Sequence, residues 1–188
     1  MALHTFVAGE VLEAQQLNDS FAAVGGFKVV KAETAFSAVA SVTADSIFTS
    51  AYTNYRIIIR FQQSAGQLGM QFRASAVDTT SNYNYQTFTS SSTTNTGARA
   101  TAQSQALIGN NSGGAFWQLS TVDLTGVQLA EPTVYHSLAV RNDGAYTVPS
   151  AYTAFGNQSD STAFDGIKIL TTSGTITGSY TIYGYAKA

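Results

Sequence analysis

The sequence predicts an all-β protein, an antiparallel, jelly-roll-like β-sandwich preceded by one short N-terminal helix. Three observations lead there. The hydrophobic period changes from helical to two just after Gly25-Gly26, about ten short alternating runs follow, and no helical stretch lies between those runs to make parallel crossovers. With 188 residues the chain has room for one domain and an appendage. The expected division is an attachment segment over residues 1–26 and a β-domain over 27–188.

The helix is expected from about Glu13 to Val24, ended by the two glycines, which suit a left-handed cap. Ala14, Leu17, Phe21 and Val24 recur at helical spacing and form one apolar stripe. Such a stripe either packs on its own domain or joins a short coiled coil, and two heptads are too few to hold a coiled coil alone.

The strands follow from alternation. In 55–62, Tyr55, Ile57, Ile59 and Phe61 share one face while Arg56, Arg60 and Gln62 take the other, with Ile58 on the arginine side. In 68–76, Met70, Phe72 and Ala74 are expected inward, with Gln71, Arg73 and Ser75 outward. The last run places Ile176, Tyr180 and Ile182 together with Gly178 and Gly184, and glycine on an apolar face implies a bulge or a close backbone approach. Further strands are expected near 27–31, 36–42, 83–89, 98–108, 116–123, 134–140, 147–155 and 164–170. Turn chemistry separates them at Ser64-Ala65-Gly66, Asn110 to Gly114, Asn142-Asp143-Gly144 and Ser173-Gly174, and the polar stretch from Ser90 to Thr96 reads as an exposed loop.

Composition narrows the function. Only 11% of residues are charged, against about 25% in an ordinary domain, whereas 11 Phe, 10 Tyr and one Trp supply ample core. Nine scattered Lys and Arg offer no basic stripe for phosphates, so no nucleic-acid partner is expected. No run of about 18 apolar residues and no basic-then-apolar leader is present, so neither membrane insertion nor secretion is expected, and assembly in a cytoplasm is. Without cysteine there are no disulfides or thiolate metal sites.

Catalytic equipment is sparse. His4 and His136 are the two histidines, and His136 shares its face with Val134, Leu138 and Val140, which suits a core or interface position. There is no Gly-x-Ser-x-Gly elbow, His-Glu-x-x-His or phosphate loop, and no carboxylate pair suited to glycan cleavage. Asp160 and Asp165 are too isolated for a calcium cage, and Asp165-Gly166 suits a turn. No catalytic residue, cofactor or metal ligand is therefore expected. The candidate glycan contacts are Asn82, Tyr83, Asn84, Tyr85 and Trp117, which offer aromatic faces beside amides. Tyrosine and tryptophan are equally ordinary at interfaces and core edges.

Two groups of residues carry a resemblance. Phe6-x-Ala8-Gly9-Glu10-x-Leu12-x-Ala14-x-x-Leu17-Asn18-x-x-Phe21 resembles a short N-terminal module of phage tail and fibre proteins, with Glu13 where that module carries a capping threonine. The rest is similar to a β-domain of phage fibre and virion proteins. It matches at Phe48-x-x-x-Tyr52-x-Asn54-Tyr55-Arg56-Ile57, Gln71-x-Arg73-x-Ser75, Asn82-Tyr83-x-Tyr85-Gln86, Phe164-Asp165-Gly166, Gly174-Thr175-Ile176-Thr177-Gly178 and Tyr183-Gly184-Tyr185. The resemblance implies a place in a tailed-phage virion rather than a reaction. Its expected form is a tail-fibre or appendage subunit, a homotrimer that docks through Phe6, Leu12, Ala14, Leu17, Phe21 and Val24 onto other virion proteins and touches host surface glycan. A capsid decoration or head-fibre protein and a free carbohydrate-binding module are the competing expectations.

Overall fold

The computed structural model describes residues 26–111, 114–142 and 149–186. The expected N-terminal helix and its stripe lie outside these residues. All the secondary structure described is β: β1 (Phe27–Val39), β2 (Ser41–Ala44), β3 (Asn54–Ala74), β4 (Val77–Asp78), β5 (Tyr83–Ser91), β6 (Thr94–Gln103), β7 (Ala106–Asn111), β8 (Gly114–Thr125), β9 (Thr133–Asn142), β10 (Pro149–Gln158) and β11 (Gly166–Tyr185). They form one antiparallel sheet in the order β1-β11-β3-β8-β9-β10-β5-β6, with β2 on β11 and β4 and β7 on β3.

Two expected turns prove to be bends inside continuous strands. β3 and β11 each run through the Ser64-Ala65-Gly66 and Ser173-Gly174 signals, where their mutual register shifts. Gly66 and Gly174 take φ of 82° and 73° there, a left-handed conformation that glycine adopts without steric cost. Hydroxyls replace the ladder bonds that the bulges interrupt: Thr175 N donates to Ser64 Oγ at 2.9 Å, Gln67 N to Thr172 Oγ1 at 2.9 Å, and Thr171 Oγ1 to Ala65 O at 2.9 Å. Beyond the bend, β3 carries β7, which packs against β9, β10 and β5.

The long polar loop expected over Ser90–Thr96 is instead the tip of a hairpin. β5 and β6 pair out to Ser91↔Thr94, and Ser92 turns the chain at φ 54°. Serine and threonine are strand-compatible, so low complexity there marked a solvated hairpin and not a break in pairing.

The core lies on one side of β3 and β11. Tyr55, Ile57, Ile59, Phe61, Leu68, Met70 and Phe72 are buried, as are Ile176, Tyr180 and Ile182. The glycine expectation holds as a close approach: a Cβ on Gly178 would fall on Arg60 O, and one on Gly184 would lie 2.5 Å from the Tyr52 ring. Arg73 and Gln71, expected outward, are buried as well. Arg73 Nε lies 2.6 Å from Asp45 Oδ1, its guanidinium also pairs with Asp78, and Gln71 Nε2 donates to Ser104 O at 2.9 Å. Lys168 joins Asp78 at 2.7 Å, so the buried arginine sits inside a compensated network.

Candidate functional surface

The motif residues meet at the joints of the sheet. Asp165 O accepts from Ile47 N (2.8 Å) and Phe48 N (3.0 Å), Asp165 N donates to Arg73 O at 3.0 Å, and its carboxylate accepts from Ser75 N at 3.2 Å. Phe164 stacks on Phe72 at 5.0 Å between ring centroids, and Tyr83 stacks on the same ring at 6.1 Å. Tyr55 OH donates to Thr49 O and accepts from Thr49 N, both at 2.8 Å. These residues fix loops to strands. They do not converge on an open site.

The candidate glycan contacts are likewise dispersed. Tyr83 is fully buried, and its hydroxyl accepts from Phe72 N at 2.7 Å and donates to Thr79 O at 3.1 Å. Burial holds its phenol above the usual range, and with no free ring face it offers nothing to a sugar. This removes Tyr83 from the candidate contacts, because alternation puts it on the inner side of β5. Asn82 is tied to Asp160 Oδ1 at 2.8 Å, and Asn84 Nδ2 to Asn157 Oδ1 at 3.0 Å while its Oδ1 accepts from Ala102 N. Tyr85 is half-buried on the inner side, where it lines a groove with Gln67, Gln103 and Leu107. Trp117 lies on the outer side under the Arg60 guanidinium, 3.5 Å from its ring centroid. Asp160 and Asp165 are engaged separately, and among the described residues no three His, Asp or Glu side chains gather.

A different feature dominates the geometry, and sequence reasoning touched it only at His136 and Ile58. On β9 the inner side carries Thr133, Tyr135, Ser137 and Ala139, all buried, whereas Val134 (50% exposed), Leu138 (49%) and Val140 (42%) face solvent beside the exposed His136. The more apolar side of the strand is the wet one.

Register extends this reversal across neighbouring strands. One outer row runs Ile58↔Thr121↔Leu138↔Thr153↔Phe88 over β3, β8, β9, β10 and β5. The next runs Arg60↔Leu119↔Val140↔Ala151, and a third Arg56↔Asp123↔His136↔Phe155↔Gln86. Leu119, Phe88 and Phe155 are exposed like the β9 residues. Beneath the first row lie Ile57, Val122, Ser137, Ala154 and Thr87, all buried.

The small inner side chains have a packing cause. β7 lies across β9, β10 and β5, and Ser120 Oγ donates to Ile108 O at 2.6 Å, a backbone approach that large side chains would block. Small residues inside do not require large apolar residues outside, so the outer pattern stands as a separate property. One charge pair on it is matched within the chain. Arg56 and Asp123 form a bidentate pair with both contacts at 2.7 Å, and Tyr185 OH donates to Asp123 Oδ1 at 3.0 Å. The guanidinium holds the Asp123 carboxyl below its usual range, and Arg56 also lies 5.4 Å from the Phe27 ring centroid. Comparison of the chain with protein-family models, curated proteins and solved structures gave no match.

Proposed function

We propose that this chain is a non-enzymatic structural subunit of a tailed-bacteriophage particle. In this reading it is a tail-fibre or appendage subunit, and the folded-over sheet is a jelly-roll-like sandwich. Residues 1–26 dock on other virion proteins, the β-domain projects towards the host surface, and the subunit works as a homotrimer. The virion assignment rests on the Phe6 to Phe21 module and the ordered β-domain motifs in the sequence. The observation that carries the structural-subunit part is the reversed patterning of β9 and its neighbours, which leaves a broad apolar sheet face exposed among the described residues. The motif residues that recur in the resemblance hold joints of the sheet, which suits a scaffold.

A glycan-binding role has one supporting observation of its own. Asn84, Gln86, Arg99 and Asn157 line a shallow groove beside the exposed Phe155 ring, a combination of amides, guanidinium and aromatic surface that suits a sugar. The groove opens on the outer face of β10 and β5, so it fits a receptor-binding appendage or a carbohydrate-binding module only where that face stays open to solvent.

Gold-labelled antibody on intact particles tests the assignment. Label at the tail supports the appendage reading, label on the head supports the decoration alternative, and particles that carry no label refute both.

A further inference from the structure

We infer that the outer face of β8, β9, β10 and β5 is where copies of this chain meet, each face packed against another copy. The inference names the surface through which the proposed subunit assembles and rests on that reading only in requiring self-association. A solution test of it can fail without bearing on where the protein sits in a particle.

With about 150–250 Å² available on each large side chain, the exposed parts of Ile58, Phe88, Leu119, Val134, Leu138 and Val140, with Phe155, amount to roughly 600 Å². That is at the top of what a monomer ordinarily exposes in one patch, and most of the roughly 800 Å² per partner in a standard interface.

A strongly charged partner finds little to recognise at the centre of this face, whose charges sit at its border: Arg56 paired with Asp123, Arg60 on the Trp117 ring, and Arg99 beside Gln86. An apolar centre with a polar border suits packing against further copies of the chain, around the three-fold axis of the proposed trimer as well as across a two-fold one. Thr121 and Thr153 alternate with Ile58, Leu138 and Phe88 along the middle row, and Gln86 and the Arg56–Asp123 pair lie in the row beside it.

The close passage of β7 accounts for Ser137 and Ala139 inside, but not for Val134, Leu138 and Val140 outside, where polar residues would serve a lone subunit; their apolar surface is recovered on assembly.

The test uses the full chain. Light scattering at roughly 50 μM, above the dissociation constants of weak complexes, is expected to give a multiple of the 19.8 kDa chain mass. Leu138→Glu is expected to reduce it to the mass of one chain while the circular dichroism melt stays cooperative. Should Leu138→Glu not fold, Leu138→Thr, a strand-compatible change, gives the same reading. A monomeric wild type overturns the inference, and so does a multimer that both variants leave intact. Because the chain lacks cysteine, a single Leu138→Cys reports the location directly. Its maleimide reaction is expected to be about tenfold slower than that of Val77→Cys, since a covered thiol reacts only after the contact opens. Equal rates overturn the inference. Slow reaction in a chain that scatters as a monomer also overturns it, by assigning the cover to residues 1–25 of the same molecule.

Discussion

Strands β3 and β9 are separated only by β8, yet they sort their side chains in opposite senses. The first half of β3 puts Tyr55, Ile57, Ile59 and Phe61 inside and leaves Arg56, Ile58 and Arg60 outside, whereas β9 puts Thr133, Tyr135, Ser137 and Ala139 inside and leaves Val134, His136, Leu138 and Val140 outside. Both alternate with period two. The difference teaches that alternation identifies a strand and its two faces but not which face is wet. That is decided by what the topology lays against the strand, here the close passage of β7 under β9.

If the half built on β3 and β11 holds the fold, its aromatic junction should be the costliest place to cut. Phe72 is fully buried and stacks with the rings of both Tyr83 and Phe164. Phe72→Ala is expected to lower stability by about 3–5 kcal/mol, read as a fall in urea midpoint at constant slope. A loss no larger than that of a surface substitution would mean that the centre of stability lies elsewhere.

The next effect concerns the tie between the two regions. Tyr83 belongs to β5, but its hydroxyl accepts the proton of Phe72 N on β3. Tyr83→Phe keeps the ring and strands that buried donor, an expected cost of about 1–3 kcal/mol in the same denaturation. The ordinary tyrosine ionises near pH 10, and burial raises Tyr83 above it. Its raised folded value means that the contribution is complete below about pH 10 and is lost as pH rises towards the folded value. The wild type should therefore lose its advantage over Tyr83→Phe in alkali, and an advantage that persists there would separate the hydroxyl from the effect.

Much of the β3 region was legible from residues alone. Tyr55 to Phe61 alternate cleanly, the glycines of β11 stand where backbone and ring press close, and both are local signals. The reversal on β9 was not legible, because Thr133 to Val140 reads equally well with either side in. The bends at Gly66 and Gly174 looked like strand ends, since the same residues serve turns and bulges. Tyr83 drew attention as an exposed aromatic because its neighbours Asn82 and Asn84 are polar; its partner at Phe72 is eleven residues away and invisible to pattern.

The polar interior of β9 offers a sharper probe with the opposite sign. Ser137 is fully buried, and its Oγ has no hydrogen-bond partner among the described residues. Ser137→Ala removes a desolvated hydroxyl and leaves the backbone under β7 undisturbed. A gain of up to about 1 kcal/mol is expected, against the usual destabilising trend. Loss of stability would show that the hydroxyl is satisfied and that the polar lining contributes to the fold.

The smallest expected effect lies at the border between the two regions, in the Arg56–Asp123 pair that joins β3 to β8. Both side chains are about one third exposed, so solvent screens the pair and limits its worth to about 1 kcal/mol or less despite bidentate geometry. The sign follows from the carboxylate. Arg56 first, and then the Tyr185 hydroxyl, hold the folded Asp123 below its ordinary value of 3.8, so its contribution is present above that value and is lost as pH falls through the lower folded one. Asp123→Asn should therefore sit slightly below the wild type at neutral pH, with the two stability curves converging as pH falls below the ordinary carboxylate value. Convergence would assign the difference to charge and leave the neighbouring apolar rows as the main property of this face. Curves that stay parallel into acid would instead assign it to the seating of the Arg56 guanidinium over the Phe27 ring, placing the edge of the outer face among the contacts that hold the subunit itself together.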